Sequence, residues 1–219
     1  SKHFDLSTFK FVGIHFRTTN DGKDLRNPNW RSFQIAIDAL RKKGIEVLLV
    51  GKKSNSQYSK LKSCFNTTNL KLSRYEIECI NIYVWSKSKF FIGSLSGGTM
   101  PPMTFGTPTL WLDIHPTIHY RPPNPSDIYL PKRIYSNYLN RFITFEESHS
   151  VKHRASQTES PIVASLRGYK LHSPSKELIE KAVLDMLNLP KEDCLNDLLI
   201  KHPDPNDAKP FSAGARIYT

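Results

Sequence analysis

The chain has 219 residues, 38% of them hydrophobic and 23% charged, a balance that excludes a disordered chain and suits one well-buried α/β core rather than two full-sized domains. Its formal net charge of +11 predicts an anionic partner; nucleic acid, an anionic membrane surface and a phosphate-bearing small molecule all meet that condition, as does a basic face that is merely solvated. No uninterrupted apolar run reaches the length of a membrane span and no signal-peptide pattern opens the chain, so a soluble protein is expected.

In chain order, Phe9 to Phe16 reads as a strand, and Thr18 to Asn29 as a polar loop rich in Asn, Asp and Gly. From Trp30 the apolar positions Trp30, Phe33, Ile37 and Leu40 fall on one helical face, with Ala36 beside them and Gly44 placed to end the helix. Ile45 to Gly51 is a second buried strand, which completes a βαβ unit with parallel strands. Leu70 to Leu72 predicts a short strand, and Ile77, Ile80 and Val84 mark a helix running to about Ser88.

Phe90 to Ile92 is the next strand, and Ser94, Ser96, Gly97, Gly98 and Thr99 form the loop leaving its carboxyl end. Pro101 and Pro102 then suit a first helical turn with Thr99 as N-cap, Gly106 closes that helix, and Thr109 to Leu112 resumes as strand. Free backbone N–H groups and the positive end of a helix dipole gathered there outline an anion site, although Gly and Ser in such a turn also serve simply to make the turn. Asp113 to Lys132 contains five prolines and predicts a long loop rather than a regular element. Past Ile143 the signals thin until an amphipathic helix, Glu177 to Leu189, stopped by Pro190; residues 201–219 predict an extended tail after a domain covering residues 1–200.

Parallel sheets bind ligands at the carboxyl ends of their strands, and the loops Arg17 to Asn29, Gly51 to Asn55 and Ser94 to Thr99 all leave such ends. Cys64, Cys79 and Cys194 are odd in number and widely spaced, which argues against a disulfide framework or zinc site and favours a reducing, cytoplasmic setting. Asn66-Thr67-Thr68 fits a glycosylation acceptor that matters only in a secreted chain. The start at Ser1, entering a core strand almost at once, reads as a piece of a longer protein.

"GIHFR" after the first strand, "VWSKSKFFIGSLSGGTMPPMTFGTPTLWL" in the middle and "DIYLPKRI" after the proline-rich loop resemble a family of bacterial glycosyltransferases of the surface-polysaccharide type, over roughly Phe11 to Ile134 and more faintly at "FSAGARI". Ile92, Gly93, Ser94, Ser96, Gly97, Phe105, Gly106 and Pro108 match the family's middle motif. The resemblance implies a GT-B fold, of which this chain is one half: a Rossmann-like parallel sheet with flanking helices, the carboxyl-terminal domain that holds a nucleotide-sugar donor. Transfer to a glycan or lipid-linked acceptor is implied with it, without a cofactor, and with the other domain needed for turnover. A His-x-Arg pattern found in some GT-B fucosyltransferases, where the arginine grips the donor diphosphate, is matched by His15 and Arg17. Family members often follow that arginine with an acidic residue, whereas Thr18 and Thr19 stand here and Asp21 comes later.

Diphosphate departure calls for fixed donors, and Arg17 together with the backbone of Ser94 to Thr99 supplies them without a metal. The donor-binding set is therefore His15, Arg17, Gly51, Lys52, Ser94, Ser96, Gly97, Gly98 and Thr99. Lys52 and Lys53 suit phosphates or plain surface equally, and His115 with His119 has the spacing of a helical metal pair in a segment that reads as loop, so no metal is expected. No catalytic base stands out; Asp21 and Asp24 are the local candidates and also ordinary turn residues. Two other classes compete: a basic nucleic-acid-binding module, supported by charge alone and not favoured because no recognition motif accompanies it, and a noncatalytic nucleotide-sugar sensor. Peripheral attachment to an anionic membrane is compatible with the charge.

Overall fold

The computed structural model of the protein describes residues 10–18, 26–51, 57–116, 125–144, 147, 168–189 and 216–217. Strand β1 (Phe11–His15) carries apolar residues on both faces, because both will be covered. Helix α1 (Trp30–Lys42) follows, capped by the Asn29 side chain on the Arg31 N–H and ended by Lys43 and Gly44, the latter at φ +69°. It buries Phe33, Ala36, Ile37 and Leu40, each large side chain contributing about 1.5–3 kcal/mol. Strand β2 (Glu46–Leu49) pairs parallel to β1, as the βαβ reading requires.

The third strand is not at Leu70 to Leu72, which is irregular, but at β3 (Phe65–Asn66), parallel to β2. Two residues are too few to show a period-two pattern, so the sequence signal drifted to the nearest leucines. Helix α2 (Arg74–Lys87) begins with a capping box: Ser73 Oγ accepts from the Glu76 N–H and the Glu76 carboxylate accepts from the Ser73 N–H at 2.8 Å. Strand β4 (Phe91–Gly93), helix α3 (Pro101–Thr104) and strand β5 (Thr109–Ile114) come next.

The proline-rich segment was expected to be all loop, but its last part is strand β6 (Ile128–Pro131), parallel to β5. Buried Asp127 prepares it by accepting from the Thr109 N–H at 2.7 Å and the Trp111 indole at 3.2 Å, and Pro131 stands at the strand's last position, past the Leu112–Leu130 pair. Three strands then form a separate antiparallel sheet: β7 (Arg133–Ser136) between β8 (Arg141–Phe142) and β9 (Tyr169–His172). Helix α4 (Lys176–Leu187), capped by Ser175, begins one residue before the expected Glu177. In the expected tail, β10 (Arg216–Ile217) adds an edge strand parallel to β6; the remainder of that tail lies outside the described residues.

The main sheet has seven strands in the order β10-β6-β5-β4-β1-β2-β3, every pair parallel. The chain builds outward from β1 through β2 to β3, then crosses back to β4 and continues the other way, which is the doubly wound Rossmann order. Helices α1 and α4 pack over Val12, Ile14, Leu110 and Leu112 on one face. Helix α2 covers Phe11, Val50 and Phe91 on the other, where Met100 and Met103 lie over Trp111, Ile114 and Tyr129. No helix among the described residues is long and apolar enough to cross a membrane.

Candidate functional site

Because the seven strands are parallel, their carboxyl ends share one edge, and the order reverses between β1 and β4. In parallel sheets of this kind such a reversal is where a ligand crevice forms, since the connections from the two central strands run in opposite directions. The residues at its base are laced together: the Ser94 N–H donates to the His15 carbonyl at 3.3 Å, and the Arg17 N–H donates to Ser94 Oγ at 3.2 Å. Fully buried Ser94 therefore works as a brace between the ends of β1 and β4.

His15 packs between Gly51 and Gly98. Its Nδ1 lies 3.2 Å from the Val50 carbonyl and 2.9 Å from the Tyr58 hydroxyl, which also reaches the Phe16 and Val50 carbonyls at 3.1 Å each. The Val50 carbonyl can only accept while the Tyr58 hydroxyl can donate or accept, so the tautomer of the neutral ring decides whether Nδ1 donates to Val50 or accepts from Tyr58. Burial lowers the His15 pKa below the usual histidine value, the Val50 hydrogen bond opposing that only in part, so the ring is neutral at pH 7.

Two glycines are shaped around this ring. A Cβ at Gly98 would run into His15 Nε2, with Cδ2 at 2.5 Å, and one at Gly51, where φ is +133°, would stand 2.7 Å from His15 Nδ1 and 2.6 Å from the Tyr58 hydroxyl. Gly51 and Gly98 are thus glycine because imidazole lies between them. Gly97 differs, since a Cβ there would meet nothing within 4 Å. The N–H groups of Gly97 and Gly98 take no partner among the described residues. They are orphan donors at the start of a single 3-10 turn, Gly97–Thr99.

Thr99 was expected to cap the helix after it. Its side chain is instead buried against Gly93, its hydroxyl lies 3.2 Å from Ser96 Oγ, and Met100 occupies the cap position of α3 without a side-chain bond. Since α3 has four residues, its macrodipole is small, and any attraction of the loop for an anion would come from the Gly97 and Gly98 N–H groups rather than from a helix end. Lys52, Lys53, Asp21, Asp24 and His119 lie outside the described residues. His115 is fully buried just past β5, and no group of three or more potential metal ligands comes together among the described residues. Asn66 accepts from both the Thr68 N–H and the Thr68 hydroxyl, so the glycosylation-like tripeptide forms a local turn.

Sequence reasoning missed Tyr58 and Asp113. Asp113 sits on a bulge between the Leu112 and Ile114 registers, at φ +55°, which Asp tolerates better than most side chains. Its Oδ2 accepts the Asn29 N–H at 2.5 Å, while Lys132 Nζ donates to the Asn27 carbonyl at 2.6 Å. The end of the first loop is thereby anchored from beneath. Burial raises the Asp113 carboxyl to about 6, against the opposing influence of Lys132, the Asn29 N–H and the Ser173 and Ser32 hydroxyls. A lone Asp inside "TLWLDI" was the available signal for it.

No family model matches the chain, and no curated protein does. Among solved structures it is similar to E. coli heptosyltransferase WaaC with ADP, at 15% identity over 57% of this chain and 38% of that one, with a TM-score of 0.40. It is also similar to the glycosyl transferase family 9 protein from Veillonella parvula DSM 2008, at 13% identity over 82% of this chain and 46% of that one, with a TM-score of 0.49. The chain spans less than half the length of either protein.

Proposed function

We propose that this chain is the donor-binding half of a GT-B glycosyltransferase, holding a nucleotide sugar for transfer to a glycan or lipid-linked acceptor. Two observations support the reading: Ser94 ties the Arg17 N–H to the strand end that leads into Gly97 and Gly98, and the N–H groups of those glycines take no partner among the described residues, with open space at Gly97. A planar guanidinium and two fixed backbone donors suit the oxygens of a diphosphate, the group on which charge develops as the anomeric C–O bond breaks. Preorganised donors of this kind stabilise that charge without a metal. His15, neutral and clamped by Val50 and Tyr58, holds the Gly51 and Gly98 loops one ring apart and so keeps the donors in place. The general base and the acceptor contacts are assigned to the facing domain of the same architecture.

Calorimetric titration with nucleoside diphosphates tests the reading. Wild-type chain should bind a diphosphate more tightly than the bare nucleoside, and Arg17→Ala should remove about 1.5–3 kcal/mol of that binding, the scale of a hydrogen bond to a charged group. Equal affinity of a folded Arg17→Ala variant would sink it. Salt-sensitive binding of oligonucleotides without diphosphate binding would favour a nucleic-acid module instead.

A further inference from the structure

The small antiparallel sheet presents one face that the donor site does not use. On β7, Ile134 and Ser136 point inward and are buried, so Arg133 and Tyr135 point outward. Register pairs Arg133 with His172, and Tyr135 with both Lys170 and Phe142, which puts all five side chains on that outer face. The Arg133 guanidinium lies over the Phe142 ring at 4.0 Å, and Phe142 in turn meets Tyr135 and His172 edge-on at 83° and 80°. The aromatic rings are therefore occupied with one another and with holding the guanidinium. Among the described residues Arg133, Lys170 and His172 form no ion pair, whereas neighbouring Arg141 is matched by Glu147 at 2.7 Å, which holds that carboxyl down at about 2.

At the tip of the β7–β8 hairpin two apolar side chains stand together in solvent, Tyr138 at 75% exposure and Leu139 at 44%. They are not loosely displayed. The Asn137 N–H donates to the Gly168 carbonyl at 2.8 Å, the Leu139 N–H to Ser136 Oγ at 3.3 Å, and the Tyr135 hydroxyl to Asn140 Oδ1 at 2.6 Å. Gly168 has no room for a Cβ, because the Tyr138 ring lies against it with Cδ2 at 2.9 Å. A rigid turn thus projects an aromatic and a leucine beside a face on which, among the described residues, the charges left without an ion pair are cationic, in a chain of net charge +11.

We propose that the β7–β8 tip and its adjoining cationic face form a docking surface for a bilayer with anionic headgroups. Tyr138 lies at the headgroup level, where an amphipathic ring is favoured, Leu139 reaches the acyl boundary, and the long side chains of Lys170 and Arg133 extend along the sheet to the phosphates. Charge complementarity favours this occupant over a neutral protein surface, and the apolar pair favours it over a soluble polyanion. This surface stands independently of the donor-site reading.

Co-sedimentation of the chain with phosphatidylcholine vesicles, alone or mixed with phosphatidylglycerol, tests it. Binding is expected to the mixed vesicles only and to fall with salt; Arg133→Gln with Lys170→Gln should lower the partition coefficient roughly fivefold per cation, about 25-fold together. Tyr138→Ser with Leu139→Ser should also weaken vesicle binding while leaving the thermal melt unchanged, since both side chains are exposed. Equal binding to both vesicle types, or wild-type partitioning by either double variant, overturns the proposal. So does binding of soluble polyphosphate or a single-stranded oligonucleotide through Arg133 and Lys170 with no vesicle binding. Dimer dissociation on Tyr138→Ser with Leu139→Ser, with vesicle binding intact, would make the tip a contact between copies and would likewise overturn it.

Discussion

Gly97 and Gly98 are adjacent in sequence and should respond oppositely to one added methyl group. At Gly98 the new Cβ would collide with His15 Nε2 and sit 2.5 Å from Cδ2, and the ring has no retreat, because the Gly51 backbone and the Tyr58 hydroxyl back it on the other side. Forcing a methyl group into packed space of this kind costs about 1–3 kcal/mol. For a domain of this size each kcal/mol moves the melting midpoint by about 2–4 °C, so Gly98→Ala should melt roughly 2–12 °C below wild type by circular dichroism. At Gly97 a Cβ meets nothing within 4 Å and φ is not in the left-handed region, so Gly97→Ala should be neutral or gain about 0.4–1 kcal/mol through the unfolded chain. The same methyl group stands in the space assigned to a diphosphate, so Gly97→Ala should weaken nucleoside-diphosphate binding in calorimetry without loss of stability. A Gly98→Ala protein that melts with wild type would refute the His15 clamp. A Gly97→Ala protein that binds diphosphate like wild type would refute the location of the ligand.

Three further outcomes follow from the same geometry. Asp113, with a folded pKa near 6 against 3.8 in the unfolded chain, binds its proton more tightly when folded, so its burial lowers stability as pH rises from about 4 to 6, by about 3 kcal/mol in full; Asp113→Asn should be more stable than wild type at pH 8, and urea titrations showing no gain would contradict the assignment. His15 works in the other sense: its folded pKa lies below 6.5, the unfolded chain takes the proton first, and stability should be lost as pH falls below 6.5, a slope that His15→Gln should remove from a series of melts. Tyr58→Phe deletes the hydroxyl shared by His15, Phe16 and Val50 and should cost about 1–3 kcal/mol in urea unfolding, whereas a cost near zero would mean that the clamp is not needed.

Local chemistry in the chain was enough to specify β1, β2, β4 and β5 from their apolar runs, α1 and α4 from an amphipathic stripe, and α2 from Ile77, Ile80 and Val84 at helical spacing, although only Asn81 and Val84 of α2 are buried. That β1, β2 and β4 end on one edge was legible for the same reason: once strands are parallel, their carboxyl ends lie together. Thr99 misled, since a threonine before two prolines has the form of a cap, and only packing beneath Gly93 turns it inward. β3 and β10 were illegible because two residues carry almost no periodic information and such strands exist through a neighbour's backbone donors and acceptors, and β6 because it ends on Pro131 in a segment whose prolines read as loop. Tyr58 reads in sequence as one more aromatic in a polar stretch, and Asp113 as an acid misplaced in a strand; the hydroxyl meets His15 across 43 positions, and the carboxylate meets Asn29 across 84. Sequence determined which segments must be buried. Which buried polar groups face one another was decided only when the sheet order brought distant strand ends together, since a lone buried acceptor or donor is unfavourable and selects its partner from whatever the topology sets beside it.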